Sequence, residues 1–282
     1  MADSVRQGLN MDNKYVNVAI ADLEERLIFP YKNKCNPSLG IIIKKTDSQD
    51  SITESRKQHI IELSEKYNFT THFYYCKNYI EALGTINEII FQNDNDIDGI
   101  LILSSFDTET NKTATKTIYN SIPMSYDVNN ISDKALGRII GNVSAIHDMT
   151  VPNFTVGVIK LLERYFENDL TGKKILIVNP NIAGGKPLGE LLFQKNNLVT
   201  YTTFDFMSKH DIKIIDYNVL GLEDVTSTPI INYNKDTVYL IMNGKIANVP
   251  KDENVITFDM IEEVASVAMV CKLFRLAMDR EM

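Results

Sequence analysis

Short runs that are apolar on both faces, set between amphipathic stretches, are what most constrain this chain. Leu39-Gly40-Ile41-Ile42-Ile43, Gly99-Ile100-Leu101-Ile102-Leu103 and Ile175-Leu176-Ile177-Val178 are strand-length and rich in β-branched side chains. A strand with one wet face alternates apolar and polar residues; strands without that alternation belong to parallel sheets covered by helices on both sides. The intervening segments carry the helical period. Val16, Ala19, Ile20, Leu23 and Leu27 share one side of a helix over 15–27. Ile60, Ile61, Leu63 and Tyr67 punctuate a long charged helix, and Ile80, Leu83, Ile86, Ile89 and Ile90 mark another. Residues 70–76 read as a further strand. The predicted fold class is α/β.

The alternation restarts in the second half of the chain. A helix is expected over 156–166, strands over 175–178 and 198–203, and a helix starting at 188–195 between them. Weaker strands are expected near 212–215, 229–232 and 238–242, and a long final helix over 260–282. With 282 residues, two compact domains are affordable. The expected arrangement is two lobes: an N-terminal αβα domain over 1–149, completed by a C-terminal helix (258–282) packing back on it, and a Rossmann-like domain over 150–257. The seam is expected near Met149-Pro152.

Composition narrows the partners. The net charge is −8, which argues against a nucleic-acid or anionic-membrane partner, since either needs a basic face. Three cysteines, Cys35, Cys76 and Cys271, lie far apart with no CxxC spacing, so neither a zinc site nor a redox pair is expected. His59, His72, His147 and His210 are scattered, and Asp94, Asp96 and Asp98 lack the downstream Glu of a calcium loop; no metal is expected. The first ten residues are polar, and no apolar run approaches the roughly 18 residues of a membrane span. The expected location is the cytoplasm.

One turn carries chemical information. A strand followed by a glycine-bearing turn and a helix aims backbone N–H groups and a helix dipole at a pyrophosphate. Here the turn reads Asn179-Pro180-Asn181-Ile182-Ala183-Gly184-Gly185-Lys186-Pro187, with Asn179 where the first glycine of the usual fingerprint stands. Asp205 lies at the end of the next strand, about where an acidic residue accepts a ribose hydroxyl. The candidate cofactor residues are therefore Asn181, Gly184, Gly185, Lys186 and Asp205. A structural αβ turn with no ligand fits the turn equally well.

Beside its neighbours the turn resembles a specific family. Pro152-Asn153-Phe154-Thr155-Val156-Gly157, a helix, Leu170-Thr171-Gly172-Lys173, a strand and the turn are similar to the P-C-T-P-x-G, L-x-G-K and G-R-S-x-x-V-G-x-P series of the bifunctional methylenetetrahydrofolate dehydrogenase/cyclohydrolases. Gly99–Ile102 resembles the family's G-I-L-V strand, and Tyr126–Asn130 with Leu136–Ile139 its K-D-V-D-G and N-x-G-R-L pair. Val199-Thr200 and Val267-Ala268-Met269 match its V-T and V-A-M. The resemblance runs from about Gly40 to the end. It implies a two-lobed fold, a folate site in the cleft between lobes, a nicotinamide dinucleotide on the Rossmann lobe, and a homodimer.

The resemblance fails at the residues that do the chemistry. The family's S-x-x-Y-x-x-x-K supplies an aromatic ring for the pterin and a lysine for acid/base work. Here Ser51 is kept, but Glu54 stands for the tyrosine and Gln58 for the lysine. Lys57, one residue off, is turned by about 100° on a helix. Leu103 replaces a glutamine, and Asn129 replaces an aspartate that would hold the pterin. Phe258–Ser266 reads as continuous helix in place of a glycine-rich loop. Catalytic residues are thus expected to be absent, with Ser51 and Asp127 left as candidate substrate-cleft residues. The cationic groups that would favour NADP are also replaced, so NAD is expected over NADP if a nucleotide binds. Two functions follow as expectations: a binding or interaction protein without either reaction, or an NAD-dependent oxidoreductase on an altered folate or other small substrate. A partnership with a catalytic homologue is a third.

Overall fold

The computed structural model describes residues 13–47, 50–92, 97–141, 151–181, 184–203, 205–206, 219–222, 236–242 and 255–281. The helices are α1 (Asn13–Leu23), α2 (Ser51–Tyr67), α3 (Tyr79–Gln92), α4 (Ala114–Ser121), α5 (Asp133–Ile140), α6 (Asn153–Tyr165), α7 (Gly185–Gln194) and α8 (Phe258–Glu281). The strands are β1 (Ser38–Lys44), β2 (Thr70–Cys76), β3 (Gly99–Ile102), β4 (Lys174–Val178), β5 (Leu198–Thr202), β6 (Val219–Leu222), β7 (Val238–Ile241) and β8 (Val255–Ile256). Two parallel sheets result, one in the order β2-β1-β3 and one in the order β5-β4-β6-β7-β8. The α/β class read from two-face-apolar strands holds.

The chain divides into two compact units. One contains residues 23–138 and 267–282 and holds the three-stranded sheet; the other runs up to Asp22 and over Ile139–Ser266 and holds the five-stranded sheet. The sequence reading set the seams at 149/150 and 257/258 and gave the chain before Asp22 to the N-terminal lobe. Two features explain the difference. Asp22 ends α1 in an ion-pair network with α6, its carboxylate 2.9 Å from Lys160 Nζ and 3.4 Å from Arg164. And α8 is one uninterrupted helix whose first turns, to Ser266, belong to the five-stranded unit.

In the three-stranded unit the middle strand β1 is fully enclosed, with Leu39, Ile41, Ile42 and Ile43 all at 0% exposure. Ile100, Ile102, Ile86, Ile89, Phe106 and Ile118 make one apolar cluster between β3, α3 and α4. Asp50 caps α2 by accepting the N–H of Thr53 at 3.1 Å, and the helix ends on left-handed Asn68 (φ 61°), both ordinary start and stop devices. A bridge between Ile100 and Asp127 extends the sheet beyond β3. The far end of α8 is tied down by Arg280, which stacks 3.8 Å from the Tyr126 ring centroid and reaches the Ile97 carbonyl and the Asp98 carboxylate.

In the five-stranded unit β4 neighbours both β5 and β6, so the winding reverses between β4 and β6. Doubly wound sheets bind ligands in the crevice beyond the carboxyl ends of strands at such a reversal. The turn that starts at Asn179 leaves β4 there. Helix α6 lies against the start of α8 at Gly157: a Cβ at that position would come 2.7 Å from the Ile261 carbonyl oxygen and 3.1 Å from the Ala265 nitrogen.

Several expected elements were longer or shorter than observed. The helix over 15–27 ends as α1 at Leu23 and continues into a π-turn, Glu24–Ile28. Helices α4 and α5 and strands β6 and β8 were not foreseen; the two helices are eight residues each, about two turns. The strands expected over 212–215 and 229–232, and also Met149, His147, His210, Asp94 and Asp96, lie outside the described residues.

The packing at Gly157 makes a prediction. Gly157→Ala pushes a methyl into backbone rather than into a movable side chain and should cost about 2 kcal/mol, within the range for overpacked sites. Chemical denaturation of the purified variant measures this, and a variant as stable as the parent would show that α6 and α8 are not in close contact.

Candidate functional site

The open end of the three-stranded sheet collects the residues that the family resemblance singled out. Ser51 and Glu54 occupy the first turn of α2, Leu103 follows β3, and Asp127 to Asn130 follow the bridge to Ile100. Leu103 N–H donates to the Ile42 carbonyl at 3.0 Å, which continues the strand ladder in place of a side-chain function.

On α2 the replacement residues are engaged with their own helix. The Glu54 carboxylate pairs with Lys57 Nζ at 3.2 Å, and Gln58 Nε2 donates to Glu62 at 3.4 Å. Ser51, Glu54 and Gln58 are exposed. Lys57 is directed towards β2, its ammonium 5.5 Å from the Phe73 ring centroid. Hydrogen bonding to Glu54, and then to Tyr75, raises its pKa. A lysine held more firmly in its charged form is the opposite of a general base tuned towards neutrality.

The 127–132 turn is built differently. Asp127 is 0% exposed, and its Oδ1 accepts the N–H groups of Asn129 at 2.9 Å and Asn130 at 2.8 Å. Asn130 takes a left-handed φ of 55°, which Asn tolerates better than most residues. Oδ2 has no hydrogen-bond partner among the described residues. Burial pushes the Asp127 carboxyl up; the Asn130 and Asn129 N–H groups pull it back, and so does the nearby Ser132. The geometry makes Asp127 an organiser of its own turn rather than a group presented to solvent. Asn129 is half-buried beside it.

Two residues that sequence reasoning did not single out belong to this neighbourhood. Burial, and then the Asp127 charge, push the Tyr119 phenol up to about 12, against the pull of the Asn129 side chain and of Arg56. Lys272 on α8 is buried, 5% exposed, with its pKa lowered by burial and Asp127 the foremost charge opposing that shift. Lys272 was legible as the lone charge in the run 264–274; Tyr119 carried no signal of its own.

In the five-stranded unit the turn after β4 is described at residues 179–181 and 184–187. Asn179 adopts φ 51° and donates its N–H to the Thr202 carbonyl, so the left-handed position usually given to glycine is filled by Asn. Gly184 and Gly185 are buried at the start of α7, and Lys186 is exposed. The Asn181 side chain accepts the Gly184 N–H at 2.9 Å, and the Asn181 carbonyl accepts the Lys186 N–H at 3.0 Å. One donor that a phosphate would take is therefore capped by the chain. Tyr201 reaches across to the Lys186 carbonyl at 3.3 Å, and its ring leaves room at residue 189 for a glycine alone. Asp205 is exposed just after β5. No group of His, Cys, Asp and Glu that could hold a metal occurs among the described residues. Nor is any helix there long and apolar enough to cross a membrane.

No protein-family model matches the chain. It is 25% identical over 254 residues to "Bifunctional protein FolD" of Clostridium botulinum (strain Okra / Type B1), covering 85% of this chain and 82% of that protein. Its fold is similar to that of the bifunctional enzyme FolD, a methylenetetrahydrofolate dehydrogenase/cyclohydrolase, from Campylobacter jejuni, with a TM-score of 0.73, 15% identity, and 95% and 98% of the two chains covered. It is also similar to the NAD-dependent 5,10-methylenetetrahydrofolate dehydrogenase from Saccharomyces cerevisiae, with a TM-score of 0.71, 15% identity and 96% of each chain covered.

The Tyr119 phenol gives a pH prediction. Its folded pKa lies above the ordinary 10.0, so above that pH the unfolded chain releases a proton that the folded chain keeps. Stability contributed by this group is full below about pH 10 and is lost as pH climbs towards about 12. Melting temperature should fall more steeply from about pH 9 to about pH 11.5 in the parent than in Tyr119→Phe; parallel curves would contradict the burial of the phenol.

Proposed function

We propose that this chain, a divergent member of the methylenetetrahydrofolate dehydrogenase/cyclohydrolase family, acts as a binding or interaction protein and carries out neither family reaction. The observation that carries this reading is the state of α2. Where the family resemblance calls for an aromatic ring and an acid/base lysine, Glu54 is ion-paired to Lys57 and Gln58 donates a hydrogen bond to Glu62, both within the helix. The flanking changes support it. Leu103 brings no polar group, Asn129 is neutral where a carboxylate is called for, and α8 runs unbroken from Phe258 where the family has a glycine-rich loop. Proton transfer in the dehydrogenase/cyclohydrolase chemistry needs a group whose charge can change near neutral pH. Neither an amide nor a firmly protonated lysine meets that need.

A second reading, an NAD-dependent oxidoreductase acting on an altered folate or another small substrate, is favoured by the five-stranded unit. The reversal between β4 and β6, the left-handed Asn179 and buried Gly184-Gly185 keep the frame of a dinucleotide turn. Asn181, Gly184, Gly185 and Lys186 would face the pyrophosphate. Asp205 would accept ribose hydroxyls and repel a 2′-phosphate, so NAD is preferred to NADP; the yeast structure with a similar fold is that of an NAD-dependent enzyme. Under either reading the protein is cytoplasmic and homodimeric, with Ser51 nearest any folate-type ligand, Asp127 behind it holding the turn that carries Asn129, and a catalytic homologue as a further candidate partner. Exposed Leu198 and Tyr201 on β5, with Phe193 beside them on α7, support pairing through the five-stranded unit.

Melting curves with NAD, NADP and tetrahydrofolate added separately test the ligand preferences. Selective binding to the folded state stabilises it by about 2.7 kcal/mol at a hundredfold excess over Kd. A shift with NAD that exceeds the shift with NADP is expected wherever a nucleotide binds; a larger shift with NADP would overturn the role given to Asp205.

A further inference from the structure

Strand β2 is the outermost strand of its sheet, with β1 on its inner side. The Thr70 N–H donates to the Pro37 carbonyl at 2.8 Å, on the β1 side. Backbone groups alternate along a strand, so His72 and Tyr74 also bond inwards. Thr71, Phe73 and Tyr75 turn their N–H and C=O groups outwards. Among the described residues no strand pairs with that outer side, and no hydrogen bond reaches those three N–H groups. The opposite edge of the sheet is covered, since the Ile100 N–H donates to the Tyr126 carbonyl at 2.7 Å.

Sheet edges are normally protected by being short or by carrying a lysine, a proline or a bulge. The β2 edge has none of these. It is seven residues long, equal to β1 and longer than every other described strand. Thr70-Thr71-His72-Phe73-Tyr74-Tyr75-Cys76 contains no proline and no Asp, Glu, Lys or Arg. On the side facing α2 it presents two aromatic rings: Phe73, with the Lys57 ammonium 5.5 Å from its centroid, and Tyr75, which is 42% exposed.

A row of outward backbone donors and acceptors is matched by another extended backbone. Charge decides whose. The chain carries 37 acidic against 29 basic residues. An edge that takes a charged foreign segment presents the opposite charge. An edge that takes its own copy presents none, because a two-fold axis sets each charge near its own image. The seven residues of β2 meet the second condition, and the Lys57 charge above Phe73 is balanced by Glu54 at 3.2 Å.

We propose that β2 pairs antiparallel with β2 of a second copy of this chain, about a two-fold axis at Phe73, which joins two three-stranded sheets into one. Phe73 is the middle one of the three outward residues, so it faces Phe73 of the copy while Thr71 faces Tyr75. Each such pair exchanges N–H···O=C bonds, and the aromatic rings meet across the strands. This interface is separate from the pairing through the five-stranded unit and does not depend on it.

Light scattering on the eluting full chain, across a range of concentrations, tests the pairing. Phe73→Lys and Phe73→Glu each set like charges face to face on the axis, and each should run at about half the mass of the parent. Equal amounts of the two variants mixed together should recover the parent mass, because unlike charges then oppose. If neither variant folds by circular dichroism, Thr71→Lys/Tyr75→Lys should lose the pairing and Thr71→Lys/Tyr75→Glu should keep it. A monomeric parent, or variants with the mass of the parent, would overturn the proposal. So would variants that fall in mass and do not recover on mixing, since the edge would then take a foreign strand or a different register.

Discussion

Helix α8 is the constraint on which much of the rest of the structure depends. It is a single 24-residue helix from Phe258 to Glu281, and its first turns belong to the five-stranded unit while the remainder belongs to the three-stranded unit. At one end a glycine at 157 is needed to let α6 approach its backbone. Further on, a glycine at 99 makes room for Leu273, and at the far end Arg280 stacks on Tyr126. Because the helix is continuous from Phe258, there is no place for a glycine-rich loop ahead of Val267. The same element that builds both cores therefore removes a part of the site that the family resemblance calls for.

The two units depart unequally from the motifs of the family that the sequence resembles. In the five-stranded unit the change at the fingerprint position is conformationally conservative: Asn179 takes the left-handed φ that the turn requires, and the strands still reverse beside it. The Asn181 cap on Gly184 shows how such a turn satisfies a backbone donor from within the chain. In the three-stranded unit the changes alter chemistry rather than shape. Glu54, Lys57, Gln58 and Glu62 form a self-satisfied row along α2, while the buried Asp127 carboxylate holds its own turn through the Asn129 and Asn130 N–H groups.

Much of the fold was legible because it rests on periodicity. The strands at 39–43, 99–103 and 175–178 announced themselves by lacking alternation, and the continuous helix before Val267 by the absence of glycine and proline from 258 to 266. The eight-residue helices α4 and α5 span about two turns each, too short a window to stand out. Treating Asn179 only as a missing glycine overlooked that Asn is the side chain best suited to stand in for one there. The one-residue offset put Lys57 on another face of α2, where its ammonium lies over the Phe73 ring of β2 rather than in solvent. What the sequence could not convey was the Asp127 neighbourhood, because the meaning of Tyr119 and Lys272 arises from tertiary burial. The seams were misjudged for a related reason: the tie between Asp22 and Lys160 joins residues 138 positions apart.

The proposed absence of both reactions follows from Glu54 and Gln58 standing on α2 where the resembled family has acid/base groups. It is tested most directly by a steady-state assay of the purified full chain with methylenetetrahydrofolate and either NAD or NADP, following formation of the methenyl product and its hydrolysis. Rates indistinguishable from those without protein are expected with both cofactors. Sustained turnover that scales with protein concentration, and that is lost in a variant of Lys57 or Asp127, would contradict it.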